Sequence, residues 1–168
     1  MRFFLILILL WPSLTLAQSE LITGEATPEE VYQKVAEASV FLATAGENGL
    51  KEFQNPTGRF VWKNTHVAVT KCIDNYCLPS PKSKDIRLNM SKLKCYKTGK
   101  FYILELCNEA MYDRKGAWIE YWHPKQGFEE LQRKVGFMMP AFDTDYQVVS
   151  GVYDDSTTLE QLNKISNR

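Results

Sequence analysis

Two adjacent cations, Arg133 and Lys134 in the run QRKVGFMM, are the side chains best suited to hold a small anion. A guanidinium grips a carboxylate through two parallel hydrogen bonds, whereas an ammonium offers a compact point charge. The run alternates as a strand does, and neighbours in a strand point to opposite faces, so only one of the two looks inward. Aromatic side chains lie close by in the sequence. In GAWIEYWHPK, Gly116 to Lys125, period two puts Trp118, Glu120 and Trp122 on one face and Ala117, Ile119 and Tyr121 on the other. That pattern suits a strand covered on both sides, ended by His123-Pro124 because proline has no ladder donor. Tyr121, Tyr146 and Tyr153 can each close an apolar wall and still turn a hydroxyl to an anion. Trp62, Trp118 and Trp122 supply further wall.

Catalysis has far less to draw on. His66 and His123 are the only histidines, and a cysteine nucleophile would need a free thiol beside one of them. Ser150 in VVSGVY lacks the flanking glycines of a nucleophile elbow, and GENG and KTGK are too short for phosphate loops. Asp154-Asp155 lacks the twelve-residue loop of a calcium site. The chain therefore reads as a binding protein rather than an enzyme, with no cofactor and no metal centre.

The N-terminus sets the expected compartment. MRFFLILILLWPSLTLAQ carries one early positive charge at Arg2, an apolar core from Phe3 to Trp11 and a small-residue end at Ala17. That is the layout of a secretory signal peptide over residues 1–17, and its apolar run is shorter than the about 20 residues that span a bilayer. The mature chain, from Gln18 to Arg168, has the size of one domain and carries no second apolar span. Removing Arg2 leaves 19 basic against 20 acidic residues, a formal charge of −1, with no basic stripe for nucleic acid. In an exported chain the even set Cys72, Cys77, Cys95 and Cys107 favours two disulfides, and their spacing lacks the close-set pairs of zinc modules. Four cysteines allow three pairings, among which spacing does not choose.

The elements that must position these groups follow from local signals. ATPEEVYQKVAEASVFLATAG predicts a long first helix, with Thr27 as N-cap, Pro28 in the first turn, Glu30 completing a capping box and Gly46 as terminator. Val31, Val35, Ala38, Leu42 and Ala45 form its apolar face. ENGLKEFQNPTG reads as irregular. Arg59–Lys63 and His66–Lys71 read as two strands, or one bent strand, and CIDNYCLPSPKSKD as a loop. The spacing of Leu104, Cys107, Ala110 and Met111 predicts a second helix over Lys100–Arg114. Ala117–Trp122, Gln132–Met139 and Asp145–Asp154 then read as an antiparallel meander, and Thr157 with Glu160 as the capping box of a short last helix. Strands beside segregated helices make an α+β layout.

GAWIEYWHPK, RKVGF and DYQVVSGVYDD together resemble the single Cache domain family, extracytoplasmic PAS-like sensor domains. Trp118, Tyr121, Trp122, Pro124, Lys125, Arg133, Lys134, Tyr146, Gln147, Val148, Gly151, Tyr153, Asp154 and Asp155 carry the likeness, with Trp62 in FVWKNTHVAV upstream. It covers roughly Arg59 to Asp155 and is specific in its last third. His66 stands where the family usually has tyrosine, and Leu78–Pro81 reads LPSP in place of an Ala-His-Pro, so the middle loop has been rebuilt. The resemblance implies a PAS-like antiparallel sheet with a long N-terminal helix and a second helix before the last three strands. It also implies a small-molecule pocket, with short carboxylates among the family's ligands. The expected ligand-binding set is Trp62, His66, Trp118, Tyr121, Arg133, Lys134, Tyr146 and Tyr153. Family members with cysteine at the matching positions imply a Cys72–Cys107 bridge, leaving Cys77–Cys95 as the second. The implied role is that of a periplasmic or secreted sensor acting through a membrane signalling partner. The alternative is an interaction module on the same fold whose rebuilt loop has cost it the pocket.

Overall fold

A computed structural model describes residues 24–81, 87–111 and 113–167. The expected signal peptide, 1–17, lies outside the described residues. Helix α1 spans Pro28–Ala45 and starts on the expected capping box: Thr27 accepts from the Glu30 backbone, and the Glu30 carboxylate accepts the Thr27 N–H at 3.0 Å. Val31, Val35, Ala38 and Leu42 are all fully buried, as the helical spacing of the apolar residues requires. The segment after it is not irregular but a 3-10 turn over Gly46–Gln54, which buries Phe53 against Phe60 in a stacked pair.

Strands β1 (Val61–Trp62) and β2 (Thr65–His66) form a tight hairpin of their own, followed by β3 (Ala68–Lys71). Its turn falls at Lys63-Asn64, one residue earlier than the sequence suggested, with Lys63 in left-handed geometry at φ 44°. The cysteine-rich stretch expected to be loop contains β4 (Tyr76–Cys77), and β5 (Leu88–Asn89) follows; each is only two residues long. Helix α2 runs over Tyr102–Ala110, inside the expected span. Its buried stripe is Tyr102, Ile103, Leu106, Cys107 and Ala110, whereas Met111 is exposed, so the face lies one step from the one predicted. Strands β6 (Ala117–Pro124), β7 (Leu131–Pro140) and β8 (Gln147–Tyr153) form the meander. Strand β6 continues through Pro124, paired with Leu131, because it is the outer strand, where a missing donor is tolerated. Helix α3 (Leu159–Ile165) is capped by Thr158 with Gln161, one residue beyond the predicted Thr157 and Glu160.

The main sheet has the order β5-β4-β3-β8-β7-β6, antiparallel throughout. Alternation sorts its side chains onto two cores. Val69, Trp118, Val135, Phe137, Val148 and Val152 face α1, while Tyr121, Met138 and Val149 face α2. The aromatic strand is thus covered on both sides. Trp122 departs from its period: it packs with the α2-side core at the sheet's edge, under the Lys97 ammonium.

The bridge Cys72–Cys107 is formed, joining the end of β3 to the middle of α2. The expected Cys77–Cys95 bridge is not: both carry free thiols. Each sulfur has its own setting. The Cys95 sulfur accepts the Trp122 N–H at 3.3 Å, while Cys77 sits in the wall of a cavity.

Candidate ligand pocket

A cavity of about 270 Å³ opens on the α2 face of the sheet. Its floor is Tyr121 from β6, Lys134 and Gly136 from β7, and Val149 to Gly151 from β8. Gly136 keeps the floor low: a Cβ there would lie 3.5 Å from the Tyr121 ring and 3.7 Å from Leu106. One side is made by Thr65, His66 and Ala68, the other by Cys77, Leu78 and Ser80. Leu88, Leu93 and, from α2, Tyr102, Ile103 and Leu106 close the wall. Apolar walls with a few placed polar groups are the usual makeup of a small-molecule site.

Its electrostatics are simple. Lys134 is the one lysine or arginine lining the cavity among the described residues, and its ammonium lies 5.2 Å over the Tyr153 ring. No aspartate or glutamate is among the described lining residues. Tyr102 and Tyr121 stack in parallel, with centroids 3.8 Å apart. Burial pushes the Tyr102 phenol up to about 12 and the Tyr121 phenol well above its ordinary value, so both remain neutral hydroxyls. Burial likewise pushes the Cys77 thiol up to about 11, leaving it protonated. Two hydroxyls beside the cavity are committed to its frame: Ser150 donates to the His66 carbonyl at 2.8 Å and Thr65 to the Gly151 carbonyl at 3.0 Å. The arrangement can neutralise one negative charge and receive an apolar body beside it.

Of the eight residues expected at the site, the structure brings three to this cavity: His66, Tyr121 and Lys134. Tyr153 stands at its edge through the contact with Lys134, its hydroxyl donating to the Pro124 carbonyl at 2.6 Å. The other four lie elsewhere. Arg133 takes the opposite face of β7, where it pairs with Glu120 at 2.8 Å and donates to the Asp154 carbonyl at 2.7 Å. Trp118 packs on Phe137 in the α1-side core. Trp62 belongs to that core too and borders a separate cleft beside Glu30 and Arg59. Tyr146 packs against the same core and donates to Glu47 at 3.2 Å. Period two sends the two cations to opposite faces, and the fold puts Lys134 on the cavity side. The α2 residues Tyr102, Ile103 and Leu106 were missed. The signal was present, since Tyr102, Ile103, Leu106, Cys107 and Ala110 make a better helical stripe than the one chosen.

No family model matches the sequence, and no curated protein gives a significant match to it. Solved structures superpose on most of its length. A periplasmic sensor domain of a chemotaxis protein superposes with a TM-score of 0.50 at 17% identity, over 85% of this chain and 100% of that one. A Cache chemosensory domain described for carboxylic acid recognition gives 0.47 at 21% identity, over 74% and 82%. A methyl-accepting chemotaxis protein from Vibrio parahaemolyticus RIMD 2210633 gives 0.48 at 14%, over 83% and 89%. The fold is α+β and is shared with the periplasmic sensor domain of that chemotaxis protein.

Proposed function

We propose that this chain is an exported sensor-type module that binds a small organic acid, of short-chain carboxylate size, and acts through a membrane signalling partner. The observation that carries the reading is that Lys134 is the one lysine or arginine lining this small, largely apolar cavity among the described residues, together with the stacked, neutral phenols of Tyr102 and Tyr121. A carboxylate placed there would have its charge on Lys134, hydroxyl donors beside it and its carbon body against Leu106 and Val149. The carboxylic acid recognition of one Cache domain of similar fold points the same way. A binding role also agrees with the committed Ser150 hydroxyl and the protonated Cys77 thiol, neither of which is set up as a nucleophile. The mature chain would run from Gln18 and work in the periplasm or outside the cell.

The test is a thermal-shift screen of the mature, oxidised protein against short carboxylates, amino acids and amines. A ligand that binds only the folded state raises its melting temperature by mass action. A carboxylate-specific rise that disappears in Lys134→Ala and survives in Arg133→Lys is the expected result. A flat screen on well-folded protein would overturn the reading and favour the interaction module.

A further inference from the structure

The Cys72–Cys107 bridge and the cavity share one piece of chain. Every lining residue from Cys77 to Leu106 lies between the two bridged cysteines in sequence, so the wall opposite the floor is one covalently closed loop. Strand pairing holds the start of that loop at few points, while its end rests on the buried stripe of α2 and on Cys95 and Tyr96, which meet β6 at Trp122. Strand β4 meets β3 through only Thr70–Cys77 and Lys71–Tyr76, and β5 meets β4 through only Tyr76–Asn89 and Cys77–Leu88. The floor is different: β6, β7 and β8 pair along seven or more residues each. The bridge also has firm ground at both ends. The Cys72 N–H donates to the side-chain oxygen of buried Gln147 at 2.9 Å, and fully buried Met90 places its sulfur 3.9 Å from that of Cys107.

We infer that this disulfide gates the pocket. Oxidised, it holds α2, with Tyr102, Ile103 and Leu106, at the end of β3 and preorganises the wall for ligand. Reduced, it releases the wall while the floor stays folded, and ligand affinity falls. A dithiol carries out the change: it gives two electrons and two protons to the bridge, leaving thiols on Cys72 and Cys107 and becoming a cyclic disulfide itself. The consequence for ligand rests on the carboxylate reading above; the consequence for the wall does not. The module would thus bind ligand more tightly in an oxidising compartment.

Hydrogen exchange on the mature chain, before and after dithiothreitol, and on the Cys72→Ser/Cys107→Ser variant, tests the gate directly. Amides of α2 and β4 are expected to exchange roughly 100-fold faster in both reduced forms, with β7 and β8 unchanged. Calorimetry with sodium propionate as probe is expected to show roughly tenfold weaker binding by the same two forms. Unchanged exchange in α2 would overturn the gate. So would equal loss of protection in β7 and β8, which would make the bridge a plain stabiliser. If the oxidised protein does not bind propionate, the ligand reading fails for that acid while the exchange result still decides the gate.

Discussion

On the α1 side of the sheet, Val35, Leu42, Phe60, Val135 and Phe137 are buried to 1% exposure or less and pack without covalent help. On the α2 side the core mixes Ile103, Leu106 and Val149 with Met90, Met138, cysteines and a tyrosine pair, and it is tied by a disulfide and opened by a cavity. One face of the same strands is thus a packed support, the other a lined hollow. The difference lies in what covers each: an 18-residue helix with an unbroken apolar stripe on one side, and a nine-residue helix with two-residue strands on the other. A short cover leaves room for a ligand and needs a bridge to stay in place.

The strongest way to break the contrast is to damage the supporting face. Phe137→Ala should cost about 3–5 kcal/mol, since it deletes a buried ring that Tyr32 and Trp118 pack against. Urea unfolding would show it as a lower midpoint with unchanged slope, and the loss should be global rather than confined to the cavity wall.

Extremes of pH should separate the two faces. Partial burial pushes the Glu30 and Glu37 carboxyls up, but the cations beside them outweigh it: Lys63, with the Thr27 backbone, for Glu30, and Arg59 with Lys34 for Glu37. Their folded values end up below the ordinary one. Stability from them is therefore present above about pH 4.3 and is lost as pH falls through the lowered values. On the pocket face the sign reverses. Cys77 and Tyr102 are raised by burial, so their contribution is intact below the ordinary thiol and phenol values of about 8.5 and 10. It is lost as pH rises from there through about 11 and about 12. Unfolding midpoints across pH should fall at both ends, with exchange opening first at α1 in acid and at α2 in alkali. The same face failing at both ends would refute the assignment.

The smallest expected change in stability is also the sharpest for function. Gly136→Ala meets nothing closer than 3.5 Å, so the fold should be kept to within about 0.5 kcal/mol. The methyl group intrudes into the cavity floor, so any carboxylate-induced melting shift should shrink. An undiminished shift would place the ligand elsewhere.

How far such features could be read in advance differs between the two faces as well. Helix α1 was legible to the residue, because its capping box and apolar stripe are local signals that agree with each other. The meander was legible because long strands repeat their alternation many times. Of the pocket's cover, helix α2 was legible and the short strands were not. Strands β4 and β5 are too short to show a period, and they exist only because β3 and each other are there to pair with. At the site, alternation predicted that Arg133 and Lys134 part ways but not which one faces the hollow. That depends on which face α1 occupies, a tertiary fact. Trp118 illustrates the same limit, since an aromatic on a well-placed strand fits core and pocket equally until the covering helix is known.

The place of β8 bears on how the chain reaches its fold. The last strand in sequence sits between β3 and β7, so Val69 finds its partner only in Val148. Residues 61 to 77 can form their hairpin early, yet they have no sheet to join until the chain beyond Gln147 is present. The meander, whose partners are close in sequence, assembles first, and docking of β3 onto β8 is the late, entropically expensive closure. Cysteine oxidation inherits that timetable: the end of β3 meets α2 only after the sheet has closed across its middle. A chain that becomes available to fold from its N-terminus onward would thus carry four reduced cysteines until nearly all of it was free to pair.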